Sequence, residues 1–394
     1  MMPMEKKQLE YLLKHNKTLQ FVYKKGFSFI IRILGIFLKT DDKLILFNSF
    51  GGRRFNDSPK VLFEKMKNDP FFSGFKKVWA FERPDDFNID GADCIKIDSL
   101  KYIITALKSR IWISSVNIER GLHYKKKRTI YINTWHGAGT KLIGNACSNR
   151  KDYIFDNVDI MLIQSEFERH IFLRDFLCNP KAFMKIGFPR NDELFHITDT
   201  QKNQYRKKFK VPKGKKVILY APTWRDSKDG GLSYEFAPPL NINKWKEKLS
   251  NDYVMLFRMH AFTTIFNMTY DDFAIDVSTY DNLNHVLAIT DVVVTDYSTI
   301  VYDSVIAEKP FICFGFDYER YKEERGFYYD LSEVYPGGVL HTEDEVISRI
   351  TEVINGKDLE KYQAFRNRFI EAGGNATDLV IEELKNRLNA KEND

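Results

Sequence analysis

The segment from residue 292 to 311 is the feature of this chain that most restricts its fold. It contains a run of mostly β-branched residues, Val292–Thr295, then a polar cluster, a short helical pattern and a second apolar run from Phe311. Such a run is typical of a strand that is buried on both faces. The order strand, turn, helix, strand is the repeating unit of a parallel α/β sheet. The segment therefore predicts a parallel sheet covered by helices.

The polar cluster of this segment is a candidate anion site. Ser298 and Thr299 fall where the helix begins, so unpaired backbone N–H groups and two hydroxyls could bind a phosphate. Asp303, five residues after Ser298, lies a little over one turn further along and could reach a sugar or polyol hydroxyl. The alternative is that Asp296 and Ser298 only cap the helix. The segment alone leaves both interpretations open.

The length of 394 residues exceeds that of one ordinary domain and predicts two. Alternating strand and helix patterns begin at residue 43 and restart at residue 217, with a charged connection at 201–216. A tail of amphipathic helices from about residue 343 is expected to pack back across the first half. The predicted divisions are an N-terminal helical segment at 1–40, a Rossmann-like domain at 41–205 and a second Rossmann-like domain at 206–394.

Composition narrows the range of partners. Sixty Lys and Arg residues against 54 Asp and Glu leave a net charge of +6. This mild excess suits phosphorylated ligands or an anionic membrane surface, and it falls short of the clustered basicity of a nucleic-acid binder. We therefore predict no nucleic-acid partner.

The chain lacks the spacing of common metal and cofactor sites. Its four cysteines are scattered, without a CxxC pair or a histidine at ligand spacing, which predicts reduced thiols in a cytosolic protein and no metal. It contains no GxxxxGK[ST], GxGxxG, HExxH or GxSxG motif, so ATPase, dinucleotide dehydrogenase, zinc protease and α/β-hydrolase classes lose their usual support. No cofactor is expected.

Residues 21–38 form an apolar segment that carries three cations, Lys24, Lys25 and Arg32. Its unbroken apolar runs are shorter than the ~20 residues that span a bilayer. Basic residues within an apolar helix suit a helix that lies in the membrane interface. The alternative is an ordinary helix packed on the first domain.

Polar clusters follow the predicted strands, where ligands bind in parallel α/β sheets. His136 follows the strand around residue 130 and is flanked by Gly137 and Gly139, which suits a general base that a substrate can approach closely.

In the second half, Arg258 and His260 would point the same way at a strand end and could clamp phosphate oxygens, although an ion-paired surface position is equally compatible. Thr223 and Arg225 have the same spacing and supply a hydroxyl and a cation. This inventory favours metal-free phosphoryl transfer.

Several of these clusters, taken in order, resemble the CDP-glycerol glycerophosphotransferase family of teichoic-acid synthesis. The resemblance runs from about residue 43 to 385. The motifs that carry it are Phe55-Asn-Asp57-Ser58-Pro59-Lys60, Asn133-Thr-Trp135-His136-Gly137 with Lys141, Gly187-Phe-Pro189-Arg190-Asn191-Asp192, Tyr220-Ala-Pro222-Thr223-Trp224-Arg225, Arg258-Met-His260, Thr295-Asp296-Tyr297-Ser298-Thr299 with Asp303, and Lys309-Pro310.

The resemblance implies the two-lobed GT-B arrangement, with two Rossmann-like lobes whose parallel sheets face a central cleft. It implies transfer of glycerol phosphate from CDP-glycerol, or of ribitol phosphate from CDP-ribitol, to a hydroxyl of an undecaprenyl-diphosphate-linked acceptor. His136 would be the base, and Arg258 and His260 would hold the diphosphate. Ser298 and Thr299 would bind phosphate, and Asp303 a hydroxyl of ribose or glycerol. Lys141, Thr223 and Arg225 would also contact the substrate.

Chain length is the basis for one finer expectation. Polymerases of the family generally carry a long extra N-terminal region, so this chain resembles the short primase that adds the first glycerol phosphate to a disaccharide lipid. A polymerase of teichoic acid or capsule, or a GT-B sugar-nucleotide glycosyltransferase, is the alternative. A non-catalytic membrane scaffold fits the paired His and Arg residues less well. Because the acceptor lipid stays in the bilayer, the protein is expected at the cytoplasmic face of the cell membrane as a peripheral protein.

Overall fold

The computed structural model describes residues 17–137, 139–147, 153–223, 240–259 and 271–390. Two parallel sheets organise them, and the sheets together with their helices are called lobe 1 and lobe 2 below. Lobe 1 has seven parallel strands in the order β3-β2-β1-β4-β5-β6-β7. These strands are β1 Asp41–Asn48, β2 Lys76–Phe81, β3 Asp93–Lys96, β4 Ser109–Ser114, β5 Ile130–Asn133, β6 Ile160–Ile163 and β7 Phe183–Lys185.

Lobe 2 has six parallel strands in the order β10-β9-β8-β11-β12-β13. They are β8 Lys216–Tyr220, β9 Tyr253–Phe257, β10 Ala274–Asp276, β11 Val292–Thr295, β12 Phe311–Phe314 and β13 Val339–Leu340. In each sheet the order reverses beside the first strand, between β1 and β4 in lobe 1 and between β8 and β11 in lobe 2. Such a reversal opens a crevice at the carboxyl ends of the strands. The predicted parallel α/β architecture is confirmed.

Helices connect the strands of both sheets. They are α1 Lys17–Phe37, α2 Asp57–Asn68, α3 Leu100–Lys108, α4 Glu166–Asp175, α5 Asp199–Lys208, α6 Ile242–Leu249, α7 Leu283–Ile289, α8 Ile300–Ile306, α9 Tyr318–Arg325, α10 Leu331–Val334, α11 Glu343–Ile354, α12 Leu359–Phe369 and α13 Ala376–Ala390. The α8 helix and the strands that flank it are those predicted from the 292–311 segment.

Each lobe has its own apolar core. In lobe 1 the side chains of each strand alternate between the two faces of the sheet, and each face has its own apolar cluster. Trp79 lies in one cluster and Trp112 in the other. In lobe 2 a single cluster surrounds the sheet, and Val292, Val293 and Val294 are completely buried in it. Burial of both faces explains why these strands are continuously apolar.

The C-terminal tail is shared between the lobes. Helices α11 and α12 pack in the lobe 2 core, whereas α13 inserts Val380, Ile381 and Leu384 into the core of lobe 1. Asp192 accepts hydrogen bonds from the backbone N–H groups of Ala376 and Thr377, at 2.9 and 2.7 Å, and so anchors the start of α13. The expectation that the tail packs back across the first half is confirmed for α13. The predicted domain boundaries stay predictions.

Helix α1 packs on lobe 1 along one side only. Ser28 and Ile31 are buried, and the Ser28 hydroxyl accepts a hydrogen bond from the His123 N–H at 2.9 Å. The other side exposes large apolar residues, among them Phe29 at 64%, Ile30 at 61% and Ile36 at 78%. None of the described helices combines the length and the hydropathy needed to cross a bilayer. Both sequence interpretations thus keep a structural basis, because one face is packed and the other is bare.

The packing of α13 predicts that the last helix is part of the fold of lobe 1. Leu384→Ala removes a fully buried side chain and should lower the free energy of unfolding by about 2–5 kcal/mol. Glu382→Ala, at an exposed position of the same helix, should change it by less than about 0.5 kcal/mol. Urea denaturation followed by circular dichroism measures both. Equal stability of the two variants would contradict this packing.

Candidate active site between the lobes

His136 lies above the carboxyl edge of the lobe 1 sheet, where three strands end in register. Asn48 of β1 pairs with Ser114 of β4, which pairs with Asn133 of β5. Just beyond this row the carbonyl oxygen of Ser115 lies 2.7 Å from Nδ1 of His136. Because a carbonyl only accepts hydrogen bonds, Nδ1 must carry the proton, and Nε2 is the basic nitrogen of the neutral ring.

The surroundings of the His136 ring favour the neutral form. Burial lowers the pKa of His136 below its ordinary value of 6.5. The Ser115 carbonyl and the Asp57 carboxylate act in the opposite direction, and Arg190 adds to the lowering. The ring centroids of Trp135 and Phe50 lie 4.3 and 5.3 Å from that of His136. A neutral imidazole with a defined tautomer can accept a proton at pH 7.

Three residues near this ring have a strained backbone. Phe50, Asp57 and Trp135 have φ angles of 46°, 62° and 47°, in the left-handed region that side chains rarely adopt. Each such residue costs of the order of 1 kcal/mol and persists only where its surroundings hold it. The three residues follow or adjoin the carboxyl ends of β1 and β5. Strained positions therefore occur at the candidate site, and they also occur elsewhere in the described residues, for example at Asp98 and Leu177.

In lobe 2 the corresponding edge carries the turn that follows β11. Tyr220 of β8 pairs with Phe257 of β9 and with Val294 of β11. Beyond this row the Thr223 N–H donates to Oδ1 of Asp296 at 2.7 Å. The turn after β8 and the turn after β11 are thus joined at the reversal of strand order, where a ligand would bind.

Arg258 comes directly after β9 and faces the same crevice. Its Nη1 donates to the carbonyl oxygens of Val277 and Tyr280 at 3.2 and 2.6 Å. Burial lowers the pKa of Arg258, and Arg54 of lobe 1, a like charge, lowers it further, whereas the Asp281 carboxylate acts in the opposite direction. Two cations close together favour an anion between them. Because His260 lies outside the described residues, the ion-paired surface alternative stays open.

The hydroxyls before α8 are half-buried and lie at the helix start as expected. The Ser298 hydroxyl accepts from the Ile300 N–H at 3.4 Å, a weak cap, whereas the Thr299 side chain makes no capping hydrogen bond. Oδ1 of Asp296 accepts from the Tyr297 N–H at 2.6 Å, so the capping alternative for Asp296 and Ser298 stays open. The role of both hydroxyls in phosphate binding stays a prediction.

The loop that carries His136 touches lobe 2 at its glycines. Gly137 has a φ of 146°, and a Cβ there would lie 3.3 Å from Oγ1 of Thr299. A Cβ at Gly139 would lie 2.8 Å from the ring of Tyr328, closer than real contacts allow. Further along, Lys141 pairs with Phe327 in an antiparallel bridge. The structure thus brings the predicted base and the predicted phosphate hydroxyls to the same cleft.

Two of the predicted ligand residues, Arg225 and His260, lie outside the described residues, and their roles stay predictions. Lys141 is half-buried beside the bridge to lobe 2, and its predicted contact with substrate is likewise open. Among the described residues no group of three His, Cys, Asp or Glu side chains is arranged to hold a metal ion.

Sequence reasoning gave no role to the partners of Asp303. This residue is only 4% exposed, and its Oδ1 accepts from Arg190 Nη2 and Asn191 Nδ2, each at 2.9 Å. Burial raises the pKa of Asp303, although Arg190 and Asn191 act in the opposite direction. The pair is separated by 113 residues, so no local pattern could identify it. The predicted contact of Asp303 with a substrate hydroxyl stays a prediction.

Arg190 also approaches lobe 1 residues. Its Nε lies 3.9 Å from Oδ2 of Asp57, and its backbone N–H donates to the Ser58 hydroxyl at 3.3 Å. Burial acts to lower the pKa of Arg190, but Asp303 and Asp57 more than offset it and raise the pKa. Nearby, burial raises the pKa of Glu168 to about 8. The first residue of α2, Asp57, is therefore part of a buried charge cluster.

Comparison with known proteins finds similar sequences in one family. The sequence profile of the CDP-glycerol:poly(glycerophosphate) glycerophosphotransferase family matches residues 30–385. A teichoic acid poly(glycerol phosphate) polymerase of Bacillus spizizenii is 28% identical over 394 aligned positions, covering 95% of this chain and 98% of that protein. A teichoic acid glycerol-phosphate transferase of Staphylococcus aureus is 30% identical, covering 79% and 84% of the two chains.

The fold is also similar to a solved structure of the same group. The wall teichoic acid polymerase TagF superposes with a TM-score of 0.80 at 27% identity, covering 96% of this chain and 99% of that chain. A histidine-to-asparagine variant of TagF has been solved after a soak with CDPG, also with a TM-score of 0.80. These coverages extend over both lobes.

The charges around His136 predict how its titration responds to Asp57. An anion near an imidazole stabilises the protonated form, so Asp57→Asn should move the pKa of His136 further below 6.5. NMR titration of histidine labelled with ¹³C at Cε1 measures this, and the His136→Gln spectrum assigns the signal. Asp85→Asn, an exposed acid of lobe 1, should leave it unchanged. A pKa of His136 above 6.5 in the parent protein would contradict the burial argument.

Proposed function

This chain belongs to the CDP-glycerol:poly(glycerophosphate) glycerophosphotransferase family, and we propose that it transfers glycerol phosphate from CDP-glycerol to a hydroxyl of an undecaprenyl-diphosphate-linked disaccharide, as a teichoic-acid primase, with release of CMP. The acceptor and the primase step come from the family resemblance. CDP-glycerol is further supported by the CDPG soak of the similar TagF variant.

One observation carries the assignment of a base. His136 donates Nδ1–H to the Ser115 carbonyl at 2.7 Å, so its basic Nε2 has a fixed orientation. The same loop contacts Thr299 of lobe 2 through Gly137. In a general-base histidine one ring nitrogen donates a hydrogen bond that orients the ring, and the other nitrogen accepts the proton from the substrate.

In the proposed step one P–O bond forms and another breaks. Nε2 of His136 accepts the proton of the acceptor hydroxyl while its oxygen attacks the phosphorus that bears glycerol. The new P–O bond forms as the bond to the CMP oxygen breaks, and CMP leaves with the bonding electrons. Arg258, with the predicted partners His260 and Arg225, would stabilise the charge on the phosphates, and Thr223, Ser298 and Thr299 would donate hydrogen bonds to them.

The exposed side of α1 fits a membrane surface, where a lipid-linked acceptor would reside. Phe29, Ile30 and Ile33 are exposed together with Arg32 on a helix whose opposite side is packed on lobe 1. Apolar side chains inserted among headgroups, with a cation at anionic lipids, bind a bilayer without crossing it. We therefore propose peripheral binding to the cytoplasmic face of the cell membrane.

A second candidate has support from the comparisons. The Bacillus spizizenii relative named a polymerase is covered over 98% of its length. Chain length therefore does not separate a primase from a polymerase, and repeated addition of glycerol phosphate is the competing function. Mass analysis of the product from a synthetic lipid acceptor distinguishes them, since a primase adds a single unit and a polymerase adds a series.

The proposed reaction predicts CMP release that depends on both CDP-glycerol and the lipid acceptor. His136→Ala should lower kcat about a hundredfold to ten-thousandfold, because the base is removed. His123→Ala, whose side chain lies on lobe 1 beside Asp156, should keep kcat within threefold. Chromatographic assay of CMP, with and without EDTA, measures these rates. Full activity of His136→Ala would refute the base assignment, and turnover of a UDP-sugar alone would favour a glycosyltransferase.

The membrane proposal predicts that the bare side of α1 controls vesicle binding. The triple substitution Phe29→Ser, Ile30→Ser and Ile33→Ser should reduce sedimentation with phosphatidylglycerol vesicles at least about fivefold, because apolar area is lost from the interface. Leu100→Ser with Leu359→Ser, exposed at 67% and 68%, is the matched control and should bind as the parent does. If the triple variant sediments equally well, α1 does not mediate binding.

A further inference from the structure

One side of the first turn of the short helix α8 faces lobe 1. Thr299, Tyr302 and Asp303 are spaced three and four residues apart, so they share a helix face. Thr299 meets the Gly137 backbone, and Tyr302 and Asp303 are both buried. Every member of this face therefore contacts lobe 1, although α8 belongs to lobe 2.

An ion pair and hydrogen bonds connect the Asp303 end of this helix face to lobe 1. Arg190 and Asn191, in the turn that follows β7, both donate to Oδ1 of Asp303 at 2.9 Å. The side chains of Arg190 and Asp303 are 18% and 6% exposed, so solvent screens their attraction little. Asn284, just inside α7, donates from Nδ2 to the Arg190 carbonyl at 2.5 Å. Arg190 is thus held by both lobes.

Contacts of the Tyr302 hydroxyl connect the same helix face to the His136 loop. The Tyr302 hydroxyl lies 3.4 Å from the Gly139 carbonyl oxygen, 3.4 Å from Oγ1 of Thr140 and 2.8 Å from the Tyr329 hydroxyl. Gly139 and Thr140 continue the loop that begins with His136. The backbone of this loop is hydrogen-bonded to lobe 2 as well, since the Tyr328 N–H donates to the Thr140 carbonyl at 3.0 Å.

We propose that Arg190 and Asp303 are positioning residues, which hold α8 against the His136 loop and thereby set the distance between the base and the phosphate-binding hydroxyls. This role rests on the proposed glycerophosphate transfer. A buried ion pair is weak support for stability but can fix one arrangement among several. Alignment of base and phosphorus to within about 1 Å decides the rate of such a step. Donor binding, by contrast, would use lobe 2 groups that the pair does not touch.

The test separates positioning from folding and from substrate contact. Asp303→Asn keeps the shape and removes the charge, and Arg190→Met with Asp303→Leu replaces the pair by apolar groups that a core tolerates. The matched control is Arg349→Met with Asp358→Leu, an ion pair within lobe 2 whose side chains are each 14% exposed. For each protein we would measure kcat for CMP release, the Kd of CDP-glycerol by calorimetry, and hydrogen exchange of peptides that cover 136–143 and 297–306.

We expect both Arg190–Asp303 variants to lose at least tenfold in kcat while the Kd of CDP-glycerol changes less than threefold. Exchange should rise in both peptides, and the control variant should change none of these quantities. A kcat within threefold of the parent, or unaltered exchange in a folded variant, overturns the proposal. A tenfold weaker Kd in Asp303→Asn overturns it in favour of direct hydroxyl contact. If the parent protein releases no CMP, the proposed function fails, and the exchange data still decide whether the pair positions α8.

Discussion

The approach of Gly137 to Thr299 is the contact on which the geometry of the cleft depends. Two sheets that meet at their carboxyl ends bring turns against turns, and any side chain between them would hold them apart. At Gly137 a Cβ would already lie 3.3 Å from the Thr299 hydroxyl. The absence of a side chain at Gly137 therefore lets the loop that carries His136 approach Thr299 of lobe 2 closely. The remaining groups of the cleft are arranged around this contact.

Stability and function make different demands on the same sheet edges. Strand interiors supply apolar burial of a kind that folds any parallel α/β protein. The segments beyond the strands contain features that cost free energy of folding. These are the strained backbone at Phe50 and Trp135 and the buried charges of Arg190 and Asp303. Such costs persist where the surrounding structure compensates them and where alignment of reactive groups is the benefit. The cores of the two lobes provide that compensation.

The sequence predicted the fold from local patterns, and it did so because parallel strands and their turns are encoded locally. Val292–Thr295 and the helix after it have the predicted form. His136 and Ser298 could be selected since their positions follow from strand ends alone. The partners of Asp303 could not, because Arg190 is distant in sequence and only the packing of one lobe on the other brings them together. Likewise, the antiparallel bridge between Lys141 and Phe327 has no local signature.

The chain passes from lobe to lobe twice, once after β7 and once between α12 and α13. Asp192, in the first connection, accepts hydrogen bonds from the backbone N–H groups of Ala376 and Thr377 in the second. The two connecting segments therefore lie side by side. Two adjacent connections of this kind permit rotation about the line that they define and resist torsion across it. Any opening that admits a substrate would therefore be a rotation about this line, and it would part α8 from the His136 loop.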